Sequence, residues 1–314
     1  MRAASAFLIA ITALAAMSRT AQAQLYVTQL VGLGPAGVVS QYQLPSGTLM
    51  NANFITGLQG PVGLAVMGSL LFVANQANNT VDEYDAGTGA PINPTFIAPF
   101  SEDDNPTGVS KPTGLAVMGN MLYVSNFKSG IVGGYDISTG AANAKFFIRG
   151  LTKPAGLAVA GGTLYVASCG PGISTGVIST HNSTTGGTMT PNFITGLSVP
   201  AGIVFSGNVL YVSNEGSDTV GAYDPLVGTA IQLANPITGL NTPTGLAVSG
   251  GTLFVANALN GTIGAYNANT GAPINPTFIA GLNFPAGLAV NPTFLNSTRK
   301  VTIFRRESTA EALK

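Results

Sequence analysis

Pro243-Thr244-Gly245-Leu246-Ala247-Val248, followed by Gly250-Gly251-Thr252-Leu253-Phe254-Val255-Ala256-Asn257, is the stretch that decides the fold. A Pro-x-Gly-[Leu/Ile]-x-[Val/Phe] block starts six times, at Pro61, Pro112, Pro154, Pro200, Pro243 and Pro285. The starts are 51, 42, 46, 43 and 42 residues apart. Self-similarity at such a period means a repeat architecture in which each repeat is one supersecondary unit.

Working outward, five units are complete. Each block is followed by Leu-[Phe/Tyr]-Val, a polar loop, and then [Val/Ile]-x-x-[Tyr/His]-[Asp/Asn]. The second-strand pieces are Phe72-Val73, Tyr123-Val124, Tyr165-Val166, Tyr211-Val212 and Phe254-Val255. The third end at Asp85, Asp136, Asn182, Asp224 and Asn267. A turn then leads to a short apolar segment containing Phe96-Ile97, Phe147-Ile148, Phe193-Ile194, Pro236-Ile237 or Phe278-Ile279. Nothing in the body shows helical periodicity, and the β-branched and aromatic runs between Gly-rich turns read as strands. Four short strands per unit predict an all-β, six-bladed β-propeller.

The two ends are incomplete in complementary ways. Leu25-Tyr26-Val27 and Val38 to Tyr42 match second and third strands but lack a preceding block. The block at Pro285 to Val290 lacks a following Leu-Tyr-Val. The C-terminal inner strand is therefore expected to pair with the N-terminal outer strands and close the ring, leaving no long free sheet edge.

Residues 1–23 read as a secretory signal peptide: Arg2, an apolar run from Phe7 to Met17, and Ala21-Gln22-Ala23 before the cleavage point. An uncleaved anchor is the alternative. The expected division is 1–23 leader, 24–290 propeller and 291–314 a tail outside the repeat. The expected location is periplasmic or extracellular, with no transmembrane segment once the leader is removed.

Charged residues make up only 8% of the chain, with 41 glycines among 314 residues. Residues 24–298 carry ten acidic against five basic side chains, too acidic a surface to track a phosphate backbone, which argues against nucleic acid. Cys169 is the single cysteine, so no disulfide forms within the chain. His181 is the single histidine and stands where other units have Tyr; a histidine-built zinc site needs more than one.

Pro-x-Gly-[Leu/Ile]-Ala-Val, then Leu-Tyr-Val-[Ala/Ser]-Asn, then [Val/Ile]-x-x-Tyr-Asp resembles the NHL-repeat family of six-bladed propellers, exported bacterial members included. The resemblance spans residues 25–290 and implies fold far more than function, because such propellers host binders and enzymes alike. Streptogramin lyases resemble this fold but depend on histidines, of which this chain has only His181.

Candidate site residues follow from where units differ. Asn75, Asn126, Asn214 and Asn257, with Ser168, end the second strands. They either form a ring of oxygens at the channel or satisfy backbone groups in their own turns. The loops after them bring Phe127, Lys128, Glu215 and Asp218. An insertion before the block at Pro112 brings Glu102, Asp103 and Asp104, whose carboxylates are the best prospect for a divalent cation such as calcium. A second insertion spans Cys169 to Gly176. Loops leaving the second strand and loops entering the next block should open on one side, making it the binding face.

The reading is a non-enzymatic binding module, expected monomeric, for a protein or carbohydrate partner. One alternative is a metal-dependent hydrolase resembling lactonases of the senescence-marker and gluconolactonase type, using Glu215 with Asn126 and Asn257. Another is a structural cell-surface or matrix component.

Overall fold

A computed structural model of the chain describes residues 22–99 and 108–292, with backbone alone at 144–146. The first blade begins with β1 (Gln24–Leu30), β2 (Ala36–Gln43) and β3 (Thr48–Gln59). The second is β4 (Pro61–Met67), β5 (Leu70–Asn75), β6 (Thr80–Asp85) and β7 (Pro91–Ile97). The third is β8 (Pro112–Met118), β9 (Met121–Asn126), β10 (Ile131–Asp136) and β11 (Ala142–Ile148). The fourth is β12 (Pro154–Ala160), β13 (Thr163–Ser168), β14 (Gly176–Asn182) and β15 (Thr188–Leu197). The fifth is β16 (Pro200–Ser206), β17 (Val209–Asn214) and β18 (Thr219–Tyr223). The sixth is β19 (Pro243–Ser249), β20 (Thr252–Asn257), β21 (Thr262–Asn267) and β22 (Pro273–Ile279), after which β23 (Leu288–Asn291) returns to the first.

Closure occurs as the truncated repeats predict. The first sheet runs β23-β1-β2-β3. Leu25 pairs with Val290 and Val27 with Leu288, antiparallel. The chain thus forms an all-β ring of six blades.

The fifth blade departs from the expected pattern. Pro236-Ile237 does not continue a fourth strand; the segment touches β18 only through isolated bridges, Val220 to Ile237 and Tyr223 to Ala230. The reason is a register error built into the chain. From the turn glycine to the closing glycine this unit is one residue longer (Gly228 to Gly239, against Gly271 to Gly281), and Pro236 replaces the usual Phe. A one-residue slip turns every side chain to the opposite face. Leu233 fills the vacated aromatic slot and packs in the core with Ile237.

The Pro-x-Gly block makes a bulge. In the sixth blade Pro243 pairs with Asn257 and Leu246 with Val255, so the inner strand spends one extra residue at Thr244-Gly245. The same shift occurs in β4, β8, β12 and β16. The block glycines then abut around the axis. A methyl on Gly63 would collide with the carbonyl oxygen of Thr113, on Gly156 with that of Ala201, and on Gly287 with that of Val62. Gly114, Gly202 and Gly245 meet Ala155, Thr244 and Ala286 in the same way. Close backbone approach, not unusual dihedrals, is what these positions require of glycine.

Hydroxyls stitch alternate blades at this level. Thr28, Ser125 and Ser213 accept from the N–H of Gly287, Gly114 and Gly202 at 2.6, 2.7 and 2.7 Å. They donate onward to the next blade's carbonyls at Val62, Ala155 and Thr244 at 3.0, 2.5 and 2.6 Å. The three remaining blades have Ala74, Ala167 and Ala256 there. Farther out, six apolar clusters fill the space between neighbouring blades.

Candidate functional site

The residue before each block proline has a left-handed backbone: Gly60 (φ 59), Lys111 (51), Lys153 (52), Val199 (51), Thr242 (52) and Phe284 (46). A residue preceding proline normally lies in the extended region. A side-chain-bearing residue at positive φ is strained, most of all when β-branched. The strain is held by hydrogen bonds. The carbonyls of Lys111, Lys153 and Val199 accept from the N–H of Phe127, Cys169 and Glu215 at 3.1, 3.2 and 3.1 Å. Gly60 and Thr242 accept likewise from Gln76 and Ala258 at 2.9 and 3.1 Å. Five of the six loops leaving a second strand are thereby clamped to the residue entering the inner strand.

That clamp builds a cavity of about 640 Å³ at one end of the central channel. Val62, Ala155, Ala201 and Ala286 form its wall, and Leu64, Leu115, Leu157, Ile203, Leu246 and Leu288 its base. Its rim is one-sided. Lys111 and Phe127 come from the third blade, Lys153, Cys169 and Ile173 from the fourth, and Val199 and Glu215 from the fifth. The inserted loop expected at Cys169 to Gly176 thus supplies part of the rim.

Among the candidates from sequence, Phe127 and Glu215 line the cavity. Lys128 is exposed on the same end, in the turn after Phe127. Asp218 is exposed and structural: at φ 54, its carboxylate accepts from the N–H of Thr242 at 2.7 Å. Asn79 does the same for Lys111 in the second blade, at 2.6 Å. Glu102, Asp103 and Asp104 lie outside the described residues.

The second-strand amides do not line the cavity; they are buried within the blades. Asn75 donates to the Asp82 carboxylate at 2.7 Å, and Asn126 accepts from the N–H of Ser110 at 2.9 Å. Asn214, Asn257 and Ser168 occupy the same buried strand end. Glu215 therefore does not converge with Asn126 and Asn257. Among the described residues no group of three or more His, Cys, Asp and Glu is placed to hold a metal ion. His181 fills the aromatic slot, within 2.9 Å of Ser179 Oγ and 3.2 Å of Thr188 Oγ1, and burial lowers its pKa.

Burial also sets the protonation of the rim. It raises the Glu215 carboxyl, with no cation offsetting it. Burial, then the negative charge of Glu215, pushes the Cys169 thiol up to about 11, with Lys153 opposing. At neutral pH the thiol is protonated and is no nucleophile.

Sequence reasoning passed over Lys111 and Lys153. Their signal was position: each immediately precedes a block proline, where the structure places the rim. It also passed over an apolar sector. Val31, Leu33, Leu259 and Phe284 are exposed on connections of the first and sixth blades at this end, Leu33 fully so. They are tied together through Asn283, whose Nδ2 donates to the Gly32 carbonyl at 2.9 Å, and Leu282, whose N–H donates to Gly261 at 3.0 Å.

No protein-family model matches the chain, and no curated protein matches it. Solved structures do. A chain in a crystal structure of a nidogen/laminin complex superposes with a TM-score of 0.69 at 15% identity, covering 85% of this chain and 98% of that one. A computationally designed protein, Ika8, gives a TM-score of 0.50 at 14% identity, covering 83% and 89%. At such identities the likeness is one of fold. Among the described residues no helix is long and apolar enough to cross a membrane.

Proposed function

We propose that this chain is a non-enzymatic binding module of the NHL-like kind, exported by its N-terminal leader, that engages a protein partner with the cavity-bearing face. One observation carries the reading. The cavity sits at the end where connections differ from blade to blade, while the frame beneath it is nearly invariant. A symmetric frame with unequal loops is what recognition of an asymmetric partner requires. The opposite end has short turns capped by equivalent residues. Asp85, Asp136, Asn182 and Asn267 each accept backbone N–H groups two and three residues on. Such a surface offers little to tell one blade from another.

The chemistry favours binding over turnover. Glu215 is the only carboxylate lining the cavity among the described residues, and the thiol beside it is protonated. A general acid–base pair needs two groups held at different pKa values. The exposed apolar sector fits docking of a protein surface. The nidogen/laminin structure, similar in fold, is itself a protein complex.

The test is photocrosslinking in the source cell, with a benzophenone amino acid at Leu33, Leu259 or Phe127 and, as controls, at Thr139 or Thr270. Adducts confined to the first three positions are expected. Adducts confined to Thr139 and Thr270 would overturn the choice of face.

A further inference from the structure

At the glycine level of the cavity many polar groups are already engaged. The N–H groups of Gly114, Gly202 and Gly287 are taken by Ser125, Ser213 and Thr28. The hydroxyls of Thr113 and Thr244 donate to the carbonyls of Pro154 and Pro285 at 3.3 and 3.2 Å. Most of the surface facing inward is apolar, carried by the aliphatic side chains of the inner strands, and such a wall takes an apolar body.

The mouth is different. Lys111 and Lys153 line it, and both hang from the strained left-handed positions whose carbonyls are clamped to the neighbouring loop. Gly60 shows that the same backbone is made without a side chain at the equivalent place. Lys128 and Arg149 stand on connections at the same end, the Arg149 guanidinium 5.6 Å from the ring centre of Phe147. Glu215, the one carboxylate lining the cavity among the described residues, has its pKa raised by burial, and Cys169 is protonated. Lysines at the edge of a low-dielectric cleft focus a positive potential into it.

We propose that the cavity takes a small amphipathic anion, its apolar body among the inner strands and its carboxylate or sulfonate at the rim beside Lys111 and Lys153. This rests on the cavity-bearing face being the working face. It adds a ligand class that the partner reading does not require. A cavity of about 640 Å³ has room for a body of some ten to twenty heavy atoms. An amphipathic cation meets two ammonium groups and gains only Glu215, so the geometry selects against it.

The experiment titrates the full chain with two fluorescent probes of closely related ring systems. One is anionic (1-anilinonaphthalene-8-sulfonate) and one neutral (N-phenyl-1-naphthylamine). The sulfonate is expected to bind about tenfold more tightly than the neutral probe and to be displaced by decanoate. K111Q/K153Q should lose that preference and leave neutral-probe affinity and melting temperature unchanged. E215Q, which removes the opposing charge, should tighten sulfonate binding at neutral pH. Equal affinity for both probes, or an unchanged preference in K111Q/K153Q, would overturn the anion assignment with the crosslinked face intact. Binding of neither probe while crosslinks persist would overturn the small-ligand site and leave the face reading standing. Displacement by an acidic peptide and not by decanoate would assign the cavity to a macromolecular partner and overturn the proposal.

Discussion

The hydroxyl of Tyr123 donates to the carbonyl oxygen of Ser183, 2.8 Å away in the next blade and sixty residues on. Tyr165 reaches Pro225 in the same manner at 2.7 Å, and Tyr26 and Tyr211 reach Ala86 and Ala268. Each acceptor directly follows the last residue of a third-strand motif, so one repeated side chain fastens four of the six blades to a repeated turn. The second and sixth blades have Phe72 and Phe254 there and rely on packing against Phe96 and Phe278, ring centres 5.2 Å apart in both.

Tyr123→Phe leaves the ring volume and strands a buried carbonyl. A loss of about 1–3 kcal/mol in urea unfolding is expected, because an orphaned buried acceptor bears its full desolvation penalty. Wild-type stability in this variant would show that the bond contributes nothing to blade cohesion.

The glycine ring predicts a contrast between two alanine substitutions. Gly156→Ala places a methyl against the Ala201 carbonyl, backbone against backbone, with nothing soft to move. A loss of several kcal/mol or failure to fold is expected, above the usual overpacking range of about 1–3 kcal/mol. Gly161→Ala, at φ 55 with open space around it, should lose only about 1–2 kcal/mol. Similar losses in both would mean that the inner strands do not abut as described.

Asp82 predicts a pH dependence of definite sign. It is buried among Asn75, Thr80 and Tyr84; burial raises its pKa, and the three hydrogen bonds only partly oppose that. A raised folded-state pKa means the folded chain holds the proton more tightly than the unfolded one. This contribution to stability is full below the unfolded value, about 4, and is lost as pH rises through the raised folded value. Asp82→Asn cannot lose it, so the variant's advantage over wild type should grow from pH 4 toward neutrality and then level. An advantage that shrinks over that interval contradicts the burial argument.

Cys169 predicts slow thiol chemistry. With the thiol pushed up to about 11, roughly one part in a thousand is thiolate at pH 8. Its iodoacetamide rate should still be climbing above pH 10, and E215Q should shift the profile to lower pH. A plateau near pH 9 would mean that neither burial nor the Glu215 charge acts on this sulfur.

The ring, its closure and the inner-strand glycines were legible because each rests on a repeated residue. Proline and glycine punctuate the bulge in every unit, and the halves missing at the two ends complement one another. The rim was only partly legible. Lys111 and Lys153 occupy a position that holds five residue types over six units (Gly60, Lys111, Lys153, Val199, Thr242, Phe284), so no unit-wide recurrence marked it. Its left-handed backbone depends on partners about sixteen residues away in the next loop. The amides were open to two readings for the opposite reason. They recur, but both faces of a blade are buried, so alternation along the strand does not reveal whether Asn126 faces the channel or its own hairpin. In the fifth blade one extra residue before Pro236 was enough to dissolve a strand that composition alone supports.

The most direct measurement of the central claim, that an invariant ring presents one unequal, ligand-holding face, is hydrogen–deuterium exchange of the full chain with and without saturating 1-anilinonaphthalene-8-sulfonate. Protection is predicted at 111–115, 153–157, 169–173 and 213–217, with no change at 137–141 or 268–272. Protection at the latter turns, with the former unchanged, would contradict the account.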